Sequence, residues 1–327
     1  MRIGIVGCGL IGKKRAKAIA GGRLVACADT DRSRAEALAA EWPGTIALDA
    51  WKPLVESPEV DLVVVSTTHA ALPEIAHAAV VNGKHVLVEK PAARRASELE
   101  PLMAAAAETG VLVRVGYNHR FHPALQKAKE LVDGGAIGPL LYVRGRYGHG
   151  GRIGYEKEWR ARSELSGGGE LVDQGVHLID LARWFLGDFV EVHGFAPTFF
   201  WNMEVDDNAF LLLRTAEGRV AHLHASWTEW KNLFSFEVFG TVGKLEITGL
   251  GGSYGTERLV HYQMKPEMGP PDVFTFDFPG NDSSWALEFG EFLNDIRTGR
   301  PPSPGLADAH AALRIVQEVY EKGRSQR

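Results

Sequence analysis

Cysteine is almost absent from this sequence of 327 residues: Cys8 and Cys27 are the only two. Two thiols cannot make a disulfide framework, so a small stapled fold is excluded and a reducing compartment is expected. No stretch approaches the ~18 uninterrupted apolar residues of a membrane span. Arg2 followed by the apolar run Ile3 to Ile11 imitates a leader, but Lys13, Lys14, Arg15 and Lys17 stand where a cleavage site would need small residues. That run is read as a strand, and a cytoplasmic protein is expected. Positive excess is also missing, since 36 Lys plus Arg face 41 Asp plus Glu for a net charge of −5. Without a basic field to gather phosphates, neither nucleic acid nor membrane is expected as a partner. The 37 glycines and 16 prolines fall far below the ~25–30% share of low-complexity chains. No H-E-x-x-H, C-x-x-C or His-rich tract is present, and His222 with His224 reads as a polar sheet face, so no metal is expected.

What the sequence does contain is rhythm. Its length suggests two domains at about 150 residues each. Up to residue 117, near-continuous β-branched runs (Ile3 to Val6, Leu24 to Ala28, Leu62 to Val65, His85 to Val88, Val111 to Val115) alternate with Ala-, Leu- and Lys-rich helical stretches. Strands covered on both faces and joined by helices predict a doubly wound parallel sheet over residues 1–117. After Tyr117 the rhythm changes. A helix is predicted over Pro123 to Val132, a strand over Leu140 to Tyr147, and an apolar helix over Leu171 to Leu186. Between Phe189 and Phe278, strand runs at Val190–Phe195, Ala209–Arg214, Val220–Trp230, Phe234–Phe239 and Leu245–Thr248 predict antiparallel pairing. Two helices, Trp285 to Arg297 and Leu306 to Lys322, end the second domain, residues 118–327.

Gly7-Cys8-Gly9-Leu10-Ile11-Gly12 is a G-x-G-x-x-G that leaves a strand and opens a helix. Gly7 allows the tight turn, Gly9 lets a pyrophosphate approach the backbone, and Gly12 lets helix and strand pack closely. The uncapped N–H groups of the helix then face the phosphates. Asp29 ends the next strand 22 residues after Gly7, close to the ~20 expected for the acid that binds the adenosine ribose. A nicotinamide dinucleotide is the expected ligand. Asp29 and Asp31 repel a 2′-phosphate while Arg32 and Arg34 attract one, so NAD is favoured and NADP stays open.

The strand ending at Val88 runs into Glu89-Lys90-Pro91, which puts a lysine at the carboxyl edge of a parallel sheet, where ligands bind. Asp173 and His177, spaced i, i+4 on the apolar helix, share one face. A buried acid and imidazole are costly without partners, which marks them as candidates for chemistry.

Together with Gly116-Tyr117-Asn118-His119-Arg120-Phe121, Trp159-Arg160, Gly167-Gly168-Gly169, the run Asp173-Gln174-Gly175-Val176-His177 and Asp180, these motifs resemble the Gfo/Idh/MocA family over nearly the whole chain. The resemblance implies an α/β architecture: an N-terminal Rossmann dinucleotide-binding domain, then an α+β domain with a large, mostly antiparallel open sheet. It implies NAD(P)-dependent hydride transfer between the cofactor and a secondary alcohol or ketone of a sugar, cyclitol or sugar derivative. It places Gly7, Cys8, Gly9, Leu10, Ile11, Gly12, Asp29, Thr67, Glu89 and Lys90 at the cofactor. Lys90, Asp173 and His177 become the catalytic set, with His177 as general acid/base, and a cis peptide is implied before Pro91. The chain departs from the family where Thr67-Thr68-His69-Ala70-Ala71-Leu72 replaces the usual Thr-Pro-x-x-x-His.

For the substrate, Trp159 offers a ring face and Arg160 a bidentate donor, with Asn118 and Tyr155 as further candidates beside Lys90, Asp173 and His177. From Gly148 to Glu164 four basic residues face three acidic ones, so an anionic substrate is not demanded. Trp227, Trp230, Phe234 and Phe236 are expected on an open sheet face, and the resemblance implies dimers or tetramers through that face. Two other classes stay open within the resemblance: NAD-dependent glycoside hydrolysis and a non-catalytic dinucleotide-dependent regulator.

Overall fold

The apolar runs of the N-terminal part pair as a parallel six-stranded sheet in the computed structural model, which describes residues 1–325. Its strands are β1 (Arg2–Val6), β2 (Arg23–Ala28), β3 (Ile46–Leu48), β4 (Leu62–Val65), β5 (His85–Glu89) and β6 (Val113–Gly116), in the order β3-β2-β1-β4-β5-β6. Helices α1 (Leu10–Lys17), α2 (Arg32–Ala40), α3 (Lys52–Glu56), α4 (Leu72–Val81) and α5 (Glu100–Thr109) connect them. Strand order reverses between β1 and β4, which makes the carboxyl ends of these two strands the switch point of a doubly wound sheet. Strand β3 has only three residues, too short for its periodicity to stand out in the sequence.

Two compact units divide the chain. The first comprises 1–117, 164–167 and 285–313; the second comprises 118–163, 168–284 and the chain from Arg314. In the first, Ile3, Ile5, Leu24, Leu62, Val64 and Leu87 pack with Phe289 and Phe292 of α9 (Ser284–Thr298) in one core. Both thiols, Cys8 and Cys27, are fully buried there and unbridged. Each buried Phe contributes roughly 1.5–3 kcal/mol. Charge lies beneath this core as well: Arg15 of α1, 1% exposed, donates through Nε to Glu89 at 2.5 Å and through Nη1 to Glu288 of α9. Burial pushes the Glu288 carboxyl up, against the opposing charge of Arg15.

The second unit begins with a 3-10 turn at Asn118–Phe121 and α6 (Pro123–Asp133). Its eight-stranded sheet runs β14-β13-β12-β11-β7-β10-β9-β8. The strands are β7 (Leu140–Gly148), β8 (Phe189–Phe195), β9 (Asn208–Thr215), β10 (Val220–Ser226), β11 (Leu233–Gly240), β12 (Gly243–Thr248), β13 (Glu257–Gln263) and β14 (Asp272–Phe278). Every neighbouring pair is antiparallel except β7 with β10, which is parallel. A single helical turn, α7 (Ser163–Ser166), precedes the apolar segment expected as one helix. That segment is instead a π-turn, Leu171–Gly175, continuing into α8 (Val176–Leu186). The chain's last described element is α10 (Leu306–Ser325).

One expectation about the sheet is corrected. Trp227, Phe234 and Phe236 are at most 3% exposed and lie on the covered face, with Phe236 stacked on Phe185 of α8. In β11 the period-2 alternation sends Phe234, Phe236 and Val238 inward and Ser235, Glu237 and Phe239 outward. Of the four aromatics only Trp230, in the turn before β11, is exposed. The open face is built instead by Leu141, Tyr142, Phe195, Phe210 and Leu212, which line a groove of about 720 Å³ with Arg144, His193 and His222.

Candidate active site

In the first unit the turn after β1 has the shape a dinucleotide requires. Gly7 sits at φ +94, and a Cβ there would come within 2.4 Å of the Ser66 carbonyl oxygen. A Cβ at Gly12 would lie 1.9 Å from the Gly7 carbonyl oxygen, so α1 packs against this turn only because Gly12 has no side chain. A Cβ at Gly9 would meet nothing within 4 Å. Gly9 is therefore the bare backbone that a pyrophosphate can approach, and no side chain caps the N–H groups of α1 behind it. Leu10 begins the helix 72% exposed and Ile11 is half-buried.

Asp29 is held at the end of β2. Its Oδ2 accepts from the Cys8 N–H at 2.8 Å and its Oδ1 from the Asp31 N–H at 2.9 Å. The N-cap of α2 is Asp31, accepting from the Ser33 N–H, so Asp29 is not needed for that task. Arg32 pairs with Glu36 and Arg34 with Asp31, so both nearby guanidiniums already face carboxylates. The residues fit NAD: donors for phosphates and a fixed carboxylate for ribose hydroxyls.

At the end of β5, the Lys90–Pro91 peptide is cis and Ala92 adopts φ +71, its N–H bonded to the Glu89 carbonyl oxygen at 2.9 Å. A left-handed alanine costs roughly 1–2 kcal/mol, a local strain of the kind that collects at functional turns. Lys90 is half-buried here, while the Glu89 carboxylate is engaged by Arg15. Thr67 follows β4 with its hydroxyl on the Thr68 carbonyl oxygen. His69, in the stretch that departs from the family pattern, is buried with Nδ1 2.8 Å from the Ser166 carbonyl oxygen.

The second unit carries the acid and the imidazole. Asp173 lies in the π-turn and His177 in the first turn of α8, 7% and 4% exposed. Arg160 donates through Nε to the Asp173 carboxylate at 2.9 Å and lies over the Trp159 ring at 4.6 Å. Desolvation lowers the Arg160 pKa, but the charges of Asp173, Tyr155 and Glu158 and the hydrogen bond to Asp173 together outweigh it and hold the guanidinium above its ordinary value. Arg152 in turn pairs with Glu158 at 2.6 Å. Tyr155 is 3% exposed, edge-on to Trp227 in a cluster with Val205, and burial pushes its phenol up. Asn118 donates to the Ser284 hydroxyl at 2.8 Å. His177 is stacked on His119, ring centroids 3.9 Å apart. A turn further along α8, Asp180 accepts two bonds from Arg120 at 2.8 and 2.6 Å.

Two supporting groups were not singled out from the sequence. Asp206 accepts from the N–H groups of Gly169 and Leu171 and from the Tyr320 hydroxyl, anchoring the start of the π-turn that carries Asp173. Arg15 reads as one more surface charge in the run Lys13, Lys14, Arg15, Lys17, yet it is buried. Among the described residues no three His, Cys, Asp or Glu side chains gather as a metal site.

Residues 1–117 match the model of an oxidoreductase family with an NAD-binding Rossmann fold, and residues 125–246 match the GFO/IDH/MocA C-terminal domain. The 1,5-anhydro-D-fructose reductase of Ensifer adhaerens is 30% identical over 75% of this chain and 74% of its own length. The chain belongs to the Gfo/Idh/MocA family. The scyllo-inositol 2-dehydrogenase (NAD(+)) of Bacillus subtilis is 28% identical, covering 96% of this chain and 92% of that protein. A structure of levoglucosan dehydrogenase in complex with NADH and L-sorbose shares the Gfo/Idh/MocA fold at a TM-score of 0.90 and 23% identity, over 99% of this chain and 97% of that one. As a Gfo/Idh/MocA member the protein is an NAD(P)-dependent oxidoreductase.

Proposed function

We propose that Lys90, Asp173 and His177 serve one reaction, hydride transfer at a secondary alcohol of a neutral cyclitol or anhydrosugar. The observation that carries this reading is the buried Asp173 carboxylate, neutralised by Arg160 one turn ahead of the buried His177. With Arg160 on Asp173 and Arg152 on Glu158, the substrate stretch offers matched charges, which favours a hydroxyl-rich neutral ring over a phosphorylated one. NAD supplies the hydride acceptor when bound. His177 takes the hydroxyl proton as the carbinol carbon loses hydride, the neutral imidazole offering one ring nitrogen as an acceptor. The Lys90 ammonium steadies the alkoxide character that develops on the same oxygen. Asp173 accepts from a neighbouring ring hydroxyl and, with Arg160, sets the ring's orientation. Asn118, Trp159 and Tyr155 shape the surroundings of that ring.

The test is NADH absorbance with scyllo-inositol, myo-inositol, levoglucosan and L-sorbose, the last with NADH in the reductive direction. Turnover of a cyclitol or anhydrosugar supports the proposal. Activity confined to phosphorylated or nucleotide-linked sugars would overturn the neutral-ring reading, and glycoside cleavage without net NADH would overturn the dehydrogenase direction of it.

The assembly we propose is a homodimer or homotetramer in which a second copy covers the open sheet face around Phe195, Phe210 and Leu212. Its support is the cluster of exposed apolar side chains, Leu141, Tyr142, Phe195, Phe210 and Leu212, gathered on one sheet face. Sedimentation at micromolar concentration tests it, and a monomer would refute it. We also place the enzyme in the cytoplasm, on the support of its two unbridged thiols, a placement that cell fractionation checks.

A further inference from the structure

A histidine imidazole turns about a broad, shallow χ2 torsion, so its own backbone does not choose the plane of the ring. A general base is sensitive to that plane, because proton transfer needs heavy atoms about 2.6–3.2 Å apart along a particular lone pair. Something beside His177 must therefore hold its ring. The His119 imidazole stacks on it with centroids 3.9 Å apart and planes tilted by 30°. Both rings are 4% exposed.

His119 is itself well fixed. Tyr147 meets it edge-on at 5.0 Å, His122 edge-on at 5.5 Å, and Phe234 lies 5.7 Å away. Its Nδ1 is 3.4 Å from the Asn118 Oδ1, and the other end of that amide donates to Ser284. The next residue, Arg120, is bolted to Asp180, three residues beyond His177 on the same helix. The Asn118–Phe121 turn is thus locked to α8 at two consecutive points. One is the ion pair, and the other is the stack on the imidazole.

A polar ring is an expensive way to fill a core, since an apolar side chain of similar volume would avoid its desolvation. A flat ring, however, does what a branched aliphatic chain does not: it presents one continuous face against which another plane comes to rest. We propose that His119 is a positioning residue for His177, holding the plane of its imidazole for proton transfer. This rests on the reading of His177 as the acid/base group. His119 touches neither proton nor substrate in this role and acts only through its neighbour.

The experiment compares His119→Leu, similar in volume but not flat, with His119→Phe, flat but not ionisable, using the best substrate of the NADH screen. His119→Leu is expected to lower kcat by about 10- to 100-fold, the scale of a misplacement near 1 Å, with KM changed less than about threefold. His119→Phe is expected to retain kcat within about threefold. Equal kcat in the two variants, or an effect confined to KM, would overturn the proposal. Histidine-labelled NMR of the NAD complex gives a second readout without turnover. The His177 resonance, assigned by its loss in His177→Asn, should stay a single sharp line in His119→Phe and broaden or split in His119→Leu. An unchanged line in His119→Leu also overturns it. His177→Ala separates the two levels: if it keeps near-native turnover the acid/base reading falls, whereas if it loses turnover and His119→Leu does not, only the positioning role falls.

Discussion

Arg120 and Asp180 form a buried two-point ion pair, the guanidinium 4% exposed and the carboxylate fully enclosed. Such a pair is weak evidence for net stability, because desolvation offsets the attraction, but losing one partner strands the other. Asp180→Ala is therefore expected to cost about 3–5 kcal/mol, read as a fall in the urea midpoint. Because Asp180 lies on the helix that carries His177, turnover should fall further than the folded fraction accounts for.

Lys90→Ala and His177→Ala should each lower turnover by about 10²-fold or more, the usual weight of a positioned acid/base or charged group. NAD affinity, measured by quenching of tryptophan fluorescence, should change little in His177→Ala because His177 lies outside the residues proposed to hold the cofactor. Near-native turnover in either variant refutes that residue's role.

Removing the carboxylate that accepts from Cys8 and Asp31 should relax cofactor choice. A hydrogen bond to a charged group is worth about 1.5–3 kcal/mol, so Asp29→Ala should shift the ratio of kcat/KM for NAD over NADP by about 10- to 100-fold towards NADP. Initial rates with the two cofactors measure it, and an unchanged ratio would mean another group makes the choice.

Acid stability should depend on Asp207. Burial alone would raise its carboxyl, but bonds from the Asn208 amide and the N–H groups of Phe199, Phe200 and Trp201 hold it below the usual carboxylate value. A carboxyl depressed in the folded state contributes stability that is complete above its unfolded value near 3.9 and is lost as pH falls through its folded value. Asp207→Asn should thus be less stable than the native chain at pH 7, with the gap closing as pH drops below about 4. Urea midpoints across that range supply the check, and a constant gap would exclude the linkage.

On the open sheet face, Leu212→Lys places a charge in the groove lined by Phe195 and Phe210. Sedimentation should show a shift to monomer with little change in the far-ultraviolet circular dichroism spectrum. An unaltered assembly would move the interface elsewhere.

Much of the fold was legible because its signals are local. Leu62 to Val65 is a continuous β-branched run, and it forms β4 with those bounds. The glycines of the first turn announce themselves by spacing. What was not legible depends on distant partners. The apolar segment from Leu171 reads as a plain helix, but its first turn is π, and its N–H groups are met by Asp206 more than thirty residues on. Arg15 reads as surface charge because Glu89 and Glu288, which draw it inside, are remote in sequence. Strands β13 and β14 mix Arg258, His261 and Asp277 with aromatics, so no apolar run marked them individually. Lys90, Asp173 and His177 stood out as candidates through their motifs and the family resemblance those motifs carry, whereas the role proposed for His119 needed a ring-to-ring distance.

The parallel pairing of β7 with β10 has a consequence for how the molecule assembles. Everything from His149 to Arg219 lies in the single excursion that joins these two neighbouring strands, including Arg160, Asp173 and His177. Bringing the ends of so long an excursion together costs loop entropy that only compaction of its own contents offsets. The proposed acid–base pair therefore sits inside the stretch whose closure brings β7 and β10 together, which couples its folding to that of the central strand pair. A nick or insertion within that excursion would be felt first as slow folding, and only then as lost activity.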